Sequence, residues 1–150
     1  MGNLYETDIL AWASEQAELL RGGNWTALDV ENIAEEIEDV GKSEVRELES
    51  RLGVLIGHLL KWKFQPLLRS ESWRAAIVVQ RRRVVSRLAR TPSLKRFLTD
   101  QTWLDEVWDD ALVLAAGETG LDLMATGLMW SIDDILDPDF LPDWQGNLHG

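Results

Sequence analysis

Between Val45 and Trp62 the apolar residues Val45, Leu48, Leu52, Leu55, Leu59 and Trp62 follow one another at intervals of three and four. That spacing gathers them on one stripe of an α-helix but scatters them over both faces of a strand, so it specifies a helix with one buried side. The same interval recurs through most of the chain, while two-residue alternation bounded by hairpin turns is scarce. The sequence therefore predicts an all-α protein: a compact antiparallel helical bundle of about five to six helices in one domain over residues 1–142. Residues 143–150, beyond the prolines at 138 and 142, are expected to form a frayed tail. A chain of 150 residues can bury enough surface to stand without a metal or a disulfide.

Punctuation residues set the expected boundaries. A first helix should run from about Asp8 to Arg21, capped by Thr7, with Ile9, Trp12, Gln16, Leu19 and Leu20 along its buried side and Gly22 and Gly23 stopping it. A second should follow Asp29, bury Val30, Ile33, Ala34, Ile37 and Val40, and end at Gly41 as a left-handed cap. Ser43 should then cap the third, which Pro66 closes. A fourth is expected from Ser72 to Arg90 with Trp73, Ile77, Val84 and Leu88 inward. Thr91 and Pro92 restart the chain as a short helix through Leu94, Phe97 and Leu98. A longer one buries Leu104, Val107, Trp108, Ala111 and Ala115 and ends around Gly117 and Gly120. Residues 121–130 have little amphipathic order, and Ser131 with Asp134 marks the start of a last short helix ending at Leu136.

Composition narrows the function. No cysteine is present, which removes disulfides, thiolate nucleophiles and cysteine-based metal sites and suits a reducing compartment. The first 25 residues lack a basic start followed by an apolar stretch, and no apolar run approaches the length of a bilayer span, so a cytoplasmic protein without membrane attachment is expected. The net charge of −11 is segregated: residues 1–42 carry 10 acidic and 2 basic side chains, residues 43–99 carry 4 and 13, and residues 100–150 carry 12 and 0. A basic middle between acidic ends points to internal pairing or to a patch for an acidic partner.

The stretches YETDILAWASEQAELLR, LDVENIAEEIEDVGKSEVRELESRL, HLLKWKFQP, SWRAAIVVQR, PSLKRFL, ETGL and ILDPDFLP occur in that order. Over roughly Leu4 to Pro142 this series resembles the bacterial family named domain of unknown function, family 29. The resemblance implies an all-helical bacterial protein of uncharacterised activity and brings no established catalytic residues.

The chemistry-bearing side chains concentrate where the third helix gives way to the fourth. His58, Trp62, Arg69, Trp73, Arg74, Gln80 and Arg81, with Glu36 from the second helix, are the candidate ligand-binding residues. Aromatic walls and cationic donors there can hold a carboxylate or a phosphate, with Glu36 or His58 moving a proton. The plainer account makes the tryptophans core anchors and the basic groups caps for the carbonyls at the end of the third helix. Glu36 could also reach Arg74, Arg81 or His58 as a buried partner. A dinuclear metal site would need a Glu-x-x-His pair on each of two helices, and Leu55 stands three residues before His58, so no metal or other cofactor is expected. No Gly-x-Ser-x-Gly turn or phosphate-binding glycine loop is present, which leans against an enzyme.

Arg74, Arg81, Arg82, Arg83, Arg87 and Arg90 make the fourth helix the best case for nucleic acid, but the chain is acidic and packing between acidic helices would neutralise these charges. The function read from the sequence is a non-catalytic protein-interaction or regulatory helical module. The alternative is a small anionic-ligand-binding protein or enzyme using the Trp/Arg-rich junction, and nucleic-acid binding is weaker still. Another protein is the expected partner, with monomer and homodimer left open.

Overall fold

Every regular element of the described residues is helical, as the spacing predicts. The computed structural model describes residues 4–124 and 126–142, so the tail expected to fray lies outside them. Contacts divide the chain into two compact units, Met1–Ser43 and Glu44–Gly150. Helix α3, Val30–Phe64, contributes to both.

The first unit opens with a single helical turn, α1 (Leu4–Thr7), followed by α2 (Ile9–Arg21). Asp8, not Thr7, caps α2: its carboxylate accepts from the Ala11 N–H at 3.1 Å. The chain then reverses through Gly23, whose φ of +70° is one that side-chain-bearing residues rarely adopt, and through a 3₁₀ turn at Trp25–Ala27. Trp12 and Gln16 are buried as predicted, whereas Ile9 and Leu20 are exposed.

The predicted break at Gly41 and the cap at Ser43 do not occur. Helix α3 passes through both without interruption, and Gly41 is absent from the left-handed glycines. Glycine inside a helix costs about 1 kcal/mol relative to alanine, and good helix formers on both sides with no proline before Pro66 outweigh it. Of the residues expected inside this stretch, Ile33 is half-buried and Ala34 is exposed. Val30, Ile37 and Val40 are 64%, 67% and 66% exposed.

The second unit holds the rest of α3, then α4 (Glu71–Arg90), a 3₁₀ segment at Pro92–Thr99, α5 (Gln101–Thr119) and α6 (Ile132–Leu136). Leu48, Leu52, Leu55 and Leu59 are wholly buried, with Val45 and Trp62 packed at the margins, so the seam read from the sequence is the spine of this core. Each such side chain contributes roughly 1.5–3 kcal/mol by leaving water. The helix ends at Phe64, before Pro66, as proline's restriction on its predecessor requires.

Ser70 rather than Ser72 opens α4, its hydroxyl accepting from the Trp73 N–H at 3.2 Å. Arg87 of α4 lies beside Glu44 and Trp73 beside Lys61, so α4 runs antiparallel to α3. After α4 the restart at Pro92 takes the 3₁₀ form. Then α5 reverses again, placing Trp103 opposite Glu49 and Glu118 opposite Lys61. Gly57 of α3 faces α5, where an added Cβ would meet the end of the Leu114 side chain at 3.2 Å. Gly120, at φ +72°, ends α5, while Gly117 stays inside it. Ser131 accepts from the Asp134 N–H and starts α6, which packs against α4. Among the described residues no helix is long and apolar enough to cross a membrane.

Candidate functional site

The arginines of α4 meet three different fates, and the differences define the site. Arg81 is 3% exposed and donates to main-chain carbonyls: Nε to Ile135 at 2.9 Å, one terminal nitrogen to Phe140 at 2.7 Å and the other to Pro138 at 3.4 Å. Its burial lowers its pKa, opposed by the charges of Asp137 and Asp139. The carbonyls of α6 and the segment after it occupy its fork.

Arg87 pairs with Glu44 at 2.9 Å and with Glu47 at 3.7 Å, and its Nε is buried with no hydrogen-bond partner among the described residues. Glu47 also holds Arg51 at 2.7 Å. The neutralisation expected from packing beside an acidic helix therefore reaches Arg87. It does not reach Arg82, Arg83 and Arg90, which are exposed and have no carboxylate partner among the described residues.

These three arginines, with Arg51, Ser86 and Arg87, line an open groove of about 650 Å³. Arg82 and Ser86 also border a second groove of about 540 Å³, whose other walls are Val78, Val85, Ala89, Leu136 and Pro138 together with Arg81. A cationic trough and a largely apolar one thus lie side by side along α4. The sequence marked the arginines of this helix as a possible phosphate-binding row but did not place Arg51, Val78, Val85 or Leu136 with them. Val78 and Val85, seven residues apart on α4, were the available sign of an apolar strip beside the charges.

The junction residues are only partly gathered. Arg69 stacks its guanidinium over Trp62 at 5.0 Å and donates from Nε to the Trp62 carbonyl at 2.7 Å, and a terminal nitrogen reaches the Pro142 carbonyl at 3.4 Å. It therefore caps the end of α3, as the plainer sequence reading anticipated. Lys61 lies 5.3 Å from the Trp73 ring and pairs with Glu118 at 2.7 Å. His58 is half-buried, and its pKa is lowered first by burial and then by the Lys61 charge, with Glu118 opposing. Gln80 is half-buried and Arg74 exposed, neither with a side-chain hydrogen bond among the described residues. Among those residues no cluster of three or more His, Asp or Glu side chains could hold a metal ion.

Glu36 belongs to the first unit, where it accepts from the Tyr5 hydroxyl at 2.6 Å. That bond, followed by burial and the charges of the neighbouring carboxylates, pushes the Tyr5 pKa up to about 12. Nearby, Asp29 accepts from Asn32 at 2.8 Å and from the Trp12 indole at 3.0 Å, and these bonds hold its pKa below the usual carboxylate value. Its own N–H donates to Gln16 at 2.9 Å, which explains why a glutamine sits on the buried side of α2.

The family model described as Domain of unknown function DUF29 matches residues 4–141. The chain belongs to that family. The match runs from the first turn of α1 to just past α6, and so includes the α4 face and both of its grooves. No curated protein and no solved structure matches this DUF29 chain.

Proposed function

We propose that this DUF29 domain is a non-catalytic protein-interaction module whose α4 face receives an acidic segment of a partner protein. The observation that carries this reading is the set Arg82, Arg83 and Arg90, exposed along one groove without carboxylate partners among the described residues. Unpaired cations on a surface favour an anionic ligand, and arginine is enriched at binding hot spots. The apolar trough beside them favours a protein over nucleic acid, because it offers side chains a place to bury that a phosphate backbone cannot use. The small-ligand reading at the junction draws less support, since Arg69 and Arg81 donate to main-chain carbonyls.

The test is calorimetric titration with a synthetic helical peptide bearing leucines on one face and glutamates along its edges. The wild-type chain is expected to bind it, and the triple variant Arg82→Gln, Arg83→Gln, Arg90→Gln is expected to bind at least tenfold more weakly, about 1.4 kcal/mol. An unchanged affinity in a folded triple variant would refute the α4 assignment. Tighter binding of duplex DNA, falling steeply with salt, would move the reading to nucleic acid.

A further inference from the structure

The first unit carries a surface that the α4 reading leaves unused. On α3, Val30, Ile33, Ile37 and Val40 follow one another at three, four and three residues, which is the seam spacing that a second helix packs into. On α2, Ile9, Ala13, Gln16 and Leu20 repeat the pattern at four, three and four. A cleft of about 230 Å³ runs along these two helices, walled by Trp12, Ala13, Ala17, Leu20, Ile37 and Val40 among others. Val30, Ile37 and Val40 remain about two-thirds exposed. An exposed apolar face of this kind marks a place where something binds.

Ala13, Gln16 and Leu20 from one seam and Ile33, Ile37 and Val40 from the other line this one groove, which fits a third helix that would complete the packing as a knob-bearing partner does in a coiled coil. Residues 1–42 carry 10 acidic side chains against 2 basic, and Glu36 stands in the cleft wall itself. A second copy of this hairpin would bring like charge against like. We infer that the α2–α3 cleft is a docking site for an amphipathic helix of a partner protein, with leucine-like residues on its seam and lysine or arginine along its edges. This site shares no residue with the two α4 grooves, and the inference does not rest on the α4 reading.

The experiment is an NMR titration of the isotopically labelled full chain with a synthetic 21-residue helical peptide. The peptide carries leucine at its two seam positions and lysine beside them, and a scrambled peptide of equal composition serves as control. Binding is expected to move the amide signals of Ala13, Ala17, Leu20, Ile37 and Val40. Ile37→Asp and, separately, Leu20→Glu should weaken it at least tenfold. Both positions are exposed, so each variant should keep the wild-type circular dichroism. The triple arginine variant of α4 should bind the peptide as the wild type does. The inference is overturned if the signals that move lie elsewhere, if the scrambled or an acidic peptide binds equally, or if the folded variants bind unchanged. It is also overturned if sedimentation shows a wild-type dimer that Ile37→Asp dissociates, because the cleft would then belong to a second copy.

Discussion

Arg81 shows how far one side chain's role can sit from its sequence signal. It stands in a basic run and invites a reading as an anion ligand, yet its acceptors are main-chain carbonyls 54, 57 and 59 residues further along. Carbonyls leave no trace in a sequence, so this partnership could not be read from residue types. Arg69 was more legible, because a cation just past a helix end is a standing candidate for capping its carbonyls. The energetic consequence for Arg81 follows from burial: charge-assisted hydrogen bonds contribute about 1.5–3 kcal/mol each, and unpaired buried acceptors carry their own cost. Arg81→Met keeps the aliphatic stem and removes every donor. Chemical denaturation should show a loss of about 3 kcal/mol. Arg81→Lys should recover only a minor part, because one ammonium cannot reproduce the planar fork. A loss under about 1 kcal/mol would mean that the carbonyls find water or other donors instead.

At the level of elements, the sequence was most reliable where packing and propensity agree. The leucine seam of α3, the inward face of α5 and the stops at Pro66 and Gly120 all follow from spacing and backbone preference. One of the differences is Gly41, which the sequence marks as a left-handed cap and which is an ordinary helical residue. A glycine and a serine two residues apart are compatible with a helix end, but they end a helix only where tertiary contacts turn the chain, and here helix-forming residues continue on both sides. This distinction is measurable. Nothing lies within 4 Å of a Cβ built on Gly41, so Gly41→Ala should stabilise the protein by about 0.5–1 kcal/mol through propensity alone. The same change at Gly120, where φ is +72°, should cost about 1–2 kcal/mol despite equally open space. In thermal melts the two variants should move Tm in opposite directions, by about 2–4 °C per kcal/mol. A fall in Tm for Gly41→Ala would show that the glycine is needed for something other than helix continuity.

For the molecule as a whole, the two units differ in how much apolar surface each removes from water. Among the described residues of Met1–Ser43 only Trp12 and Gln16 are buried, and the side chains of Trp12 and Tyr5 add hydrogen bonds to Asp29 and Glu36. The second unit contains a contiguous apolar core from Leu48 to Ile135. A segment of roughly 40 residues seldom supplies enough burial to be stable alone. Its helices should therefore open at a lower free energy than the core helices do. Hydrogen exchange followed by mass spectrometry tests this on α3, which belongs to both units along one unbroken backbone. Amides of residues 31–40 should exchange by a partial opening several kcal/mol below the global one, while those of 52–60 should exchange only on global unfolding. The denaturant dependence should differ accordingly, shallow for the first group and steep for the second. Equal protection and equal denaturant slopes along the entire helix would show that the two units unfold together, and that the first draws stability from more than the contacts within it.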